Sequence, residues 1–407
     1  MGEVIGERSE GDLLKLVQRE IRKKAKGSEI LSDDVEQKIT KFDLNELTIG
    51  RQLGRGGFCV VNELERIQLT ETDPEVKESN GYDELKQALS NSFLGQFVDN
   101  GSDKSEQEIV HNREYMAKNF CEKQGPEKGG EIRYNYVVKV LREDARKEPE
   151  SFVRSVIDLT LESRFLAVLQ HNNIVSMKAM ANTSPYKEGR PYFIILEKLE
   201  DVLSSRLQEW KARMPSQTWP CCVPPQDPIF WMERLQVGLS IASALEYLHG
   251  RNVIYRDIKP DNVGFSADGQ VKLFDFGLAR EMQKKLRTVE GTYHLTGGTG
   301  FPPYMAPEIV LDQPYNESVD VHSFCILLWQ LLKVEAPFGE DLDDNTFVKQ
   351  VVKGGDRPPL DNTWPDELLE CLKLGWSELI VERPSMTTIS KVLRQLSTTK
   401  ANGSSIS

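Results

Sequence analysis

The period of the apolar positions changes along the chain. Residues 12–26 place Leu13, Leu14, Leu16, Val17 and Ile21 near one helical face, with Arg and Lys elsewhere. A repeat of three to four predicts a basic amphipathic helix. Such a helix either packs on the main domain or touches an anionic membrane surface or a partner. From about Leu47 the pattern becomes that of strands: LTIGRQLG and FCVVNEL flank a glycine turn. A polar stretch, about 64–132, comes next. The window 62–131 holds 16 Asp and Glu against 8 Lys and Arg. Few apolar side chains lie in it, so the expectation is a largely disordered acidic insertion. One helix is expected inside it, between about Lys104 and Lys123, with Ile109, Tyr115, Met116 and Phe120 as a broken stripe.

Order resumes at YNYVVKVL (134–141), a strand by its β-branched residues. A helix is expected over about 150–170, a strand at PYFIILE (191–197), and a loop over the proline-rich residues 215–228. After Pro228 the period is helical, through Leu235, Leu239, Ala242, Leu245 and Leu248. Further helices are expected at 318–333, 364–374 and 385–397, before a polar tail, STTKANGSSIS. Strands first and helices after them predict an α+β chain of two lobes of different class.

Composition narrows the function. The chain has 407 residues and a net charge of −12, long enough for a proper core. An acidic total without a dominant basic patch argues against a nucleic-acid binder. The most apolar run, Cys325 to Trp329, stops far short of a bilayer's thickness, so no transmembrane segment is expected. Met1 to Gly6 lacks the layout of a secretory signal, and Gly6 stands where a myristoylation pattern wants Ser or Thr. Six scattered cysteines without a CxxC pair exclude the usual zinc spacings and a disulfide framework. A cytoplasmic protein is the expectation.

Four separated motifs carry candidate chemistry. Leu53-Gly54-Arg55-Gly56-Gly57-Phe58-Cys59-Val60-Val61 joins two strands. Its glycines let backbone amides approach phosphate oxygens closely, although such a loop alone is equally an ordinary turn. Lys139 sits in an otherwise apolar strand, either exposed at an edge or buried against a partner charge. Tyr255-Arg256-Asp257-Ile258-Lys259-Pro260-Asp261-Asn262 follows the long helix. Leu273-Phe274-Asp275-Phe276-Gly277 follows, with Asp275 18 residues after Asp257. No Walker A loop is present.

With these residues in order, the chain resembles the eukaryotic protein kinase family, Ser/Thr type, and looks closest to its tyrosine-kinase-like group. Asp275-Phe276-Gly277 and Ala306-Pro307-Glu308 match the family's D-F-G and A-P-E in full. The catalytic-loop pattern H-R-D-x-x-x-x-N is met with Tyr255 in place of His. The resemblance covers about 47–396 and implies a bilobal kinase fold. A mainly β N-lobe with one helix would occupy 47–200 and a mainly α C-lobe 201–396, with an N-terminal extension at 1–46 and a disordered tail at 397–407. It further implies ATP and Mg²⁺ as cofactors and protein hydroxyls as acceptors. Lys139 would hold the nucleotide's phosphates, paired with Glu162. Asp257 would accept the substrate proton, Lys259 would meet the γ-phosphate, and Asn262 and Asp275 would hold the metal. The roof and hinge of the ATP site would be Leu53, Gly54, Arg55, Gly56, Gly57, Val61, Glu197 and Leu199, with Lys198 between the last two and Leu196 guarding the adenine pocket. Glu308 would pair with Arg383, and Asp320 would brace the catalytic loop.

Two departures stand out. Cys59 occupies the third glycine position, as a packed small residue or a reactive thiol, and Tyr255 replaces a histidine that is not the proton acceptor. Arg256 is expected to meet a phosphate on the segment Asp275 to Glu308, where Thr288, Thr292, Tyr293, Thr296 and Thr299 lie. An active kinase and a scaffold that transfers no phosphate remain the competing classes. Intact Lys139, Asp257, Asn262 and Asp275 favour the first.

Overall fold

The computed structural model describes residues 9–28, 30–31, 33–70, 106–123, 132–214, 228–340 and 342–402. Helix α1, Glu10–Ala25, begins at an N-cap, Ser9, whose hydroxyl accepts from the Asp12 amide. Glu10 and Asp12 in its first turn and Arg22, Lys23 and Lys24 in its last suit the helix dipole. Leu13, Leu14, Val17 and Ile21 are buried. The apolar face is thus spent inside the fold, the packed arrangement of the two that the sequence allowed.

A six-stranded sheet follows. Its strands are β1 (Lys41–Phe42), β2 (Leu47–Arg55), β3 (Cys59–Ile67), β6 (Tyr136–Leu141), β7 (Met177–Ala181) and β8 (Phe193–Glu197), in the order β1-β7-β8-β6-β3-β2. Pairing is antiparallel except between β1 and β7. Val61 faces Lys139 across β3 and β6, so the glycine turn and the lysine strand are neighbours despite the polar sequence between them.

Within that polar stretch, helix α2 spans Glu106–Lys118 and ends short of the expected Lys123. At its end both the backbone and the side-chain amide of Asn119 donate to the Tyr115 carbonyl, at 2.9 and 2.8 Å. The next residues form instead β4, Cys121–Lys123, paired with β5, Ile132–Tyr134. Asn135 fixes that hairpin, with its side chain and amide on the Asn119 and Phe120 carbonyls, and so splits the expected strand 134–141. The call of disorder at 71–105 and 124–131 lies outside the described residues.

Helix α3, Pro149–Val168, lies against the sheet with proline in its first turn. The second lobe holds α4 (Leu203–Arg213), α5 (Pro228–Gly250), α6 (Pro307–Val310), α7 (Ser318–Lys333), α8 (Asp366–Gly375) and α9 (Met386–Asn402). Residues 215–227, the expected loop, lie outside the described residues. Short strands line the junction of the lobes: β9 (Asp201–Val202), β10 (Val253–Ile254), β11 (Val263–Phe265), β12 (Val271–Leu273) and β13 (Arg280–Glu281). Helix α9 continues to Asn402, beyond the position 397 where a tail was expected. Ser397 and Thr398 donate to the carbonyls of Leu393 and Gln395, which extends the helix with polar residues.

Candidate active site

The site is built by strand ends and by one helix. Lys139 on β6 points its Nζ at Glu162 Oε2 on α3, 2.6 Å away, and at Asp275 Oδ1, 3.2 Å away. Burial works against the ammonium charge, but the carboxylates of Asp275 and then Glu162 outweigh it and hold Lys139 protonated. Asp275 follows β12 with φ +65°, a left-handed backbone. Burial opposes its ionisation, yet Lys139 draws its carboxyl below the usual range. Its side chain stays 45% exposed at the cleft.

Asp257 lies between β10 and β11 and is 6% exposed. Its Oδ2 accepts from Lys259 Nζ at 2.8 Å and from Asn262 Nδ2 at 2.7 Å. Oδ1 is buried without a partner. Burial pushes this carboxyl up, while Lys259 and the hydrogen bonds pull it back. Asn262 donates also to the Asp257 carbonyl, at 2.9 Å. That commits its amide nitrogen and leaves its oxygen as the remaining ligand group.

The expected braces occupy the same neighbourhood. Buried Asp320 accepts from the amides of Tyr255 and Arg256, both at 2.8 Å, and so shapes the loop in which Arg256 has φ +70°. Tyr255 is fully buried, meets Phe276 edge to face at 5.2 Å and donates to the Phe274 carbonyl. This aromatic substitution keeps both a packed ring and a polar anchor behind Asp275. Glu308 and Arg383 form a buried two-pronged pair at 2.5 and 2.9 Å.

At the roof, a Cβ added to Gly54 or Gly57 would meet nothing within 4 Å, and one on Gly56 only the Cys59 carbonyl at 3.6 Å. The space around these glycines is open, which leaves room for a ligand to approach the backbone closely. Leu53 is exposed above, and Val61 packs at the edge of the core. The side chain of Arg55 departs from the expectation: it reaches Asp144 at 2.8 Å, so only its backbone remains for a nucleotide. Burial pushes the Cys59 thiol up to about 12, which makes it a packed group and not a reactive one.

At the hinge, Leu196 is buried, and Lys198 pairs with Glu63 at 2.9 Å. The Glu197 carboxylate turns to the Ser176 amide and to Lys272. The Leu199 amide makes no hydrogen bond among the described residues. Arg142, which the sequence reading missed, donates to the carbonyls of Gly56 and Gly57 at 3.1 and 2.8 Å.

The segment after Asp275 divides the expected regulatory residues. Arg256 donates to Leu278 O, to Thr296 Oγ1 at 3.0 Å and to Tyr315 Oη, while its Nη2 is buried and unpartnered. Thr296 is exposed. Thr288 and Thr292 bond each other, Tyr293 is buried, and Thr299 bonds back to Thr296 and Gly297. Burial and then Arg280 push Lys24 of α1 down to about 8, and burial and then Arg256 push Arg280 down to about 10. Three cations thus crowd together here.

A strand lysine held by two carboxylates, a glycine roof and an aspartate–asparagine loop are the side chains that phosphoryl transfer would ask for. The protein kinase domain family matches residues 129–392, and the chain belongs to that family. The match begins after the glycine loop, which the polar stretch separates from the rest. The chain is 30% identical over 239 residues to a probable serine/threonine-protein kinase of Dictyostelium discoideum, covering 59% of this chain and 23% of that protein. It is 35% identical over 162 residues to a serine/threonine-protein kinase of Arabidopsis thaliana, covering 40% of this chain and 27% of that protein. It is 33% identical over 166 residues to a dual specificity protein kinase of Dictyostelium discoideum, covering 40% and 25%. The chain spans about a quarter of the length of these relatives. Among the described residues no helix is long and apolar enough to cross a membrane.

Proposed function

We propose that the protein transfers the γ-phosphate of ATP to serine or threonine hydroxyls of protein substrates. The observation that carries the reading is the closed cluster of Lys139, Glu162 and Asp275 facing Asp257, whose Oδ1 lacks the donor that a substrate hydroxyl would provide. Phosphoryl transfer asks for alignment and charge neutralisation above all. Lys139 holds the α/β-phosphates under the glycine roof, and Asp257 orients the hydroxyl and receives its proton. Lys259, 2.8 Å from Asp257, stands where it neutralises the transferred group. Asn262 and Asp275 offer only oxygen ligands, the donor set a hard cation prefers, and would hold Mg²⁺ with phosphate oxygens completing its shell. The names of the relatives support Ser/Thr acceptors.

Regulation follows from Arg256. Thr296 is exposed and already 3.0 Å from a guanidinium with one free, buried nitrogen. A phosphate there gains charge-assisted bonds and strengthens the link between the segment and the catalytic loop. Thr288 and Thr292 remain further candidates.

The test is transfer of labelled γ-phosphate to the protein itself and to a basic protein substrate, with and without Mg²⁺. Transfer to Ser or Thr is expected, with loss in Asp275→Ala. Absence of transfer by the unaltered protein would overturn the reading in favour of a scaffold. Mass spectrometry of active protein reads the regulatory sites, and active protein without phosphate between Asp275 and Glu308 would refute activation by that route.

A further inference from the structure

Residues 9–28, 30–31 and 33–42 lie outside the part of the chain that the family match covers, yet they touch both sides of the Lys139–Glu162–Asp275 cluster. The first side is α3, which carries Glu162. Leu13, Leu14, Val17 and Ile21 of α1 are buried, and the two helices pack together. Two residues beyond Glu162, Arg164 is 2% exposed and reaches back to the same extension. It donates to the Leu31 carbonyl at 2.9 Å and to Glu36 Oε1 at 2.8 Å. Farther on, β1 joins the sheet beside β7.

The second side is the segment that follows Asp275. Helix α1 ends at Ala25, with Gly27 at φ +76° just past its C-cap Lys26, and carbonyls at a helix C-terminus lack intrahelical donors. Here those donors come from that segment. Gln283 Nε2 donates to the Lys24 carbonyl and Lys285 Nζ to the Lys26 carbonyl, each at 3.3 Å. The Lys285 charge also suits the negative end of the helix. Ser28 donates from its hydroxyl to the carboxylate of Glu281 in β13. One helix therefore grips α3 along its side and the strand after Asp275 at its end.

We infer that residues 9–28, 30–31 and 33–42 are a positioning element for the transfer reaction, holding Glu162 and Asp275 on Lys139 at the same time. Removing the grip frees α3 to draw Glu162 away, which opens the cluster without touching any residue in it. This rests on the kinase reading for its activity readout, but not for its structural one.

The test uses the full chain. Val17→Glu puts a carboxylate between α1 and α3, while Val17→Ile keeps the contact. Val17→Glu is expected to lower kcat/KM about 10- to 100-fold, as misplaced reacting groups do, with KM for ATP rising. Amide exchange should quicken in α1, α3 and 280–287 and stay slow in α7, and Val17→Ile should keep normal kinetics. Normal kinetics in a Val17→Glu protein whose α1 exchanges freely would overturn the proposal. If exchange quickens in α7 as well, the fold has been lost, and the paired change Ser28→Ala with Gln283→Ala decides. A fall in kcat/KM of about 3-fold or more there supports the clamp, and no change refutes it. If the unaltered chain transfers no phosphate, the kinase reading fails by itself. The clamp is then read from α3 exchange in Val17→Glu, with quickening supporting it and unchanged protection refuting it.

Discussion

Arg142 serves the glycine loop with one guanidinium. Its Nη1 takes two loop carbonyls, and its Nε takes Asp144 at 2.8 Å, which also holds Arg55. Gathering those carbonyls on one side leaves amides at the tip free to face the other. So exposed a set adds little to stability, but it orders a stretch in which glycine has the most freedom to lose. In Arg142→Ala, KM for ATP is expected to rise about 3- to 10-fold with kcat nearly unchanged, and steady-state kinetics at varied ATP read it. An unchanged KM would remove the role. Arg142→Lys should not restore the value, because a point charge cannot span the carbonyls and Asp144 together. Nothing in the sequence marks this arginine: a cation after an apolar strand reads as surface charge. Asp257, Asn262 and Asp275 were readable because they fall within 18 residues in the order of the family's motifs, and Lys139 only through that same resemblance.

Elements were legible by period, and their ends less so. The pattern predicted α1 and its apolar face but not its cover, since a leucine stripe looks the same under a helix as under lipid. Helix α2 stopped short because Cys121–Lys123 pair with Ile132–Tyr134, a partner that periodicity cannot register. Between elements, the bond most open to test joins α6 to the turn before α9. Arg383 holds Glu308 by two bonds and also reaches the carbonyls of Ser377 and Ser318. Arg383→Ala leaves a buried carboxylate without its partner, a loss of about 3–5 kcal/mol. Urea unfolding should show this as a lower midpoint, and a midpoint within error of the parent protein would show that the pair is dispensable.

For the molecule as a whole, one buried histidine contributes to the acid limb of stability. His322 lies inside α7, and burial, then Arg383 and Arg357, holds its imidazole well below the ordinary 6.5. The unfolded chain therefore binds a proton there that the folded chain refuses. Stability from this group is complete above about pH 6.5 and falls as pH drops below it, by up to about 1.4 kcal/mol per pH unit. In His322→Leu the slope between pH 6.5 and 5 should flatten by that amount, measured from urea midpoints. Equal slopes in the two proteins would place the acid sensitivity elsewhere. The two lobes and their order were legible from the switch in hydrophobic period. The grip of the first forty residues on the site was not, because it depends on contacts hundreds of positions apart.

Glu46 offers a different kind of consequence. This buried carboxylate receives Thr70 from the end of β3 and Arg113 from α2, at 3.0 and 2.6 Å. The sequence between them thus departs from and returns to a single fixed post. Closing such an excursion costs only about 0.6 kcal/mol for each doubling of its length. Sequence added or removed between those two contacts is therefore expected to leave the roof and floor of the cleft in register.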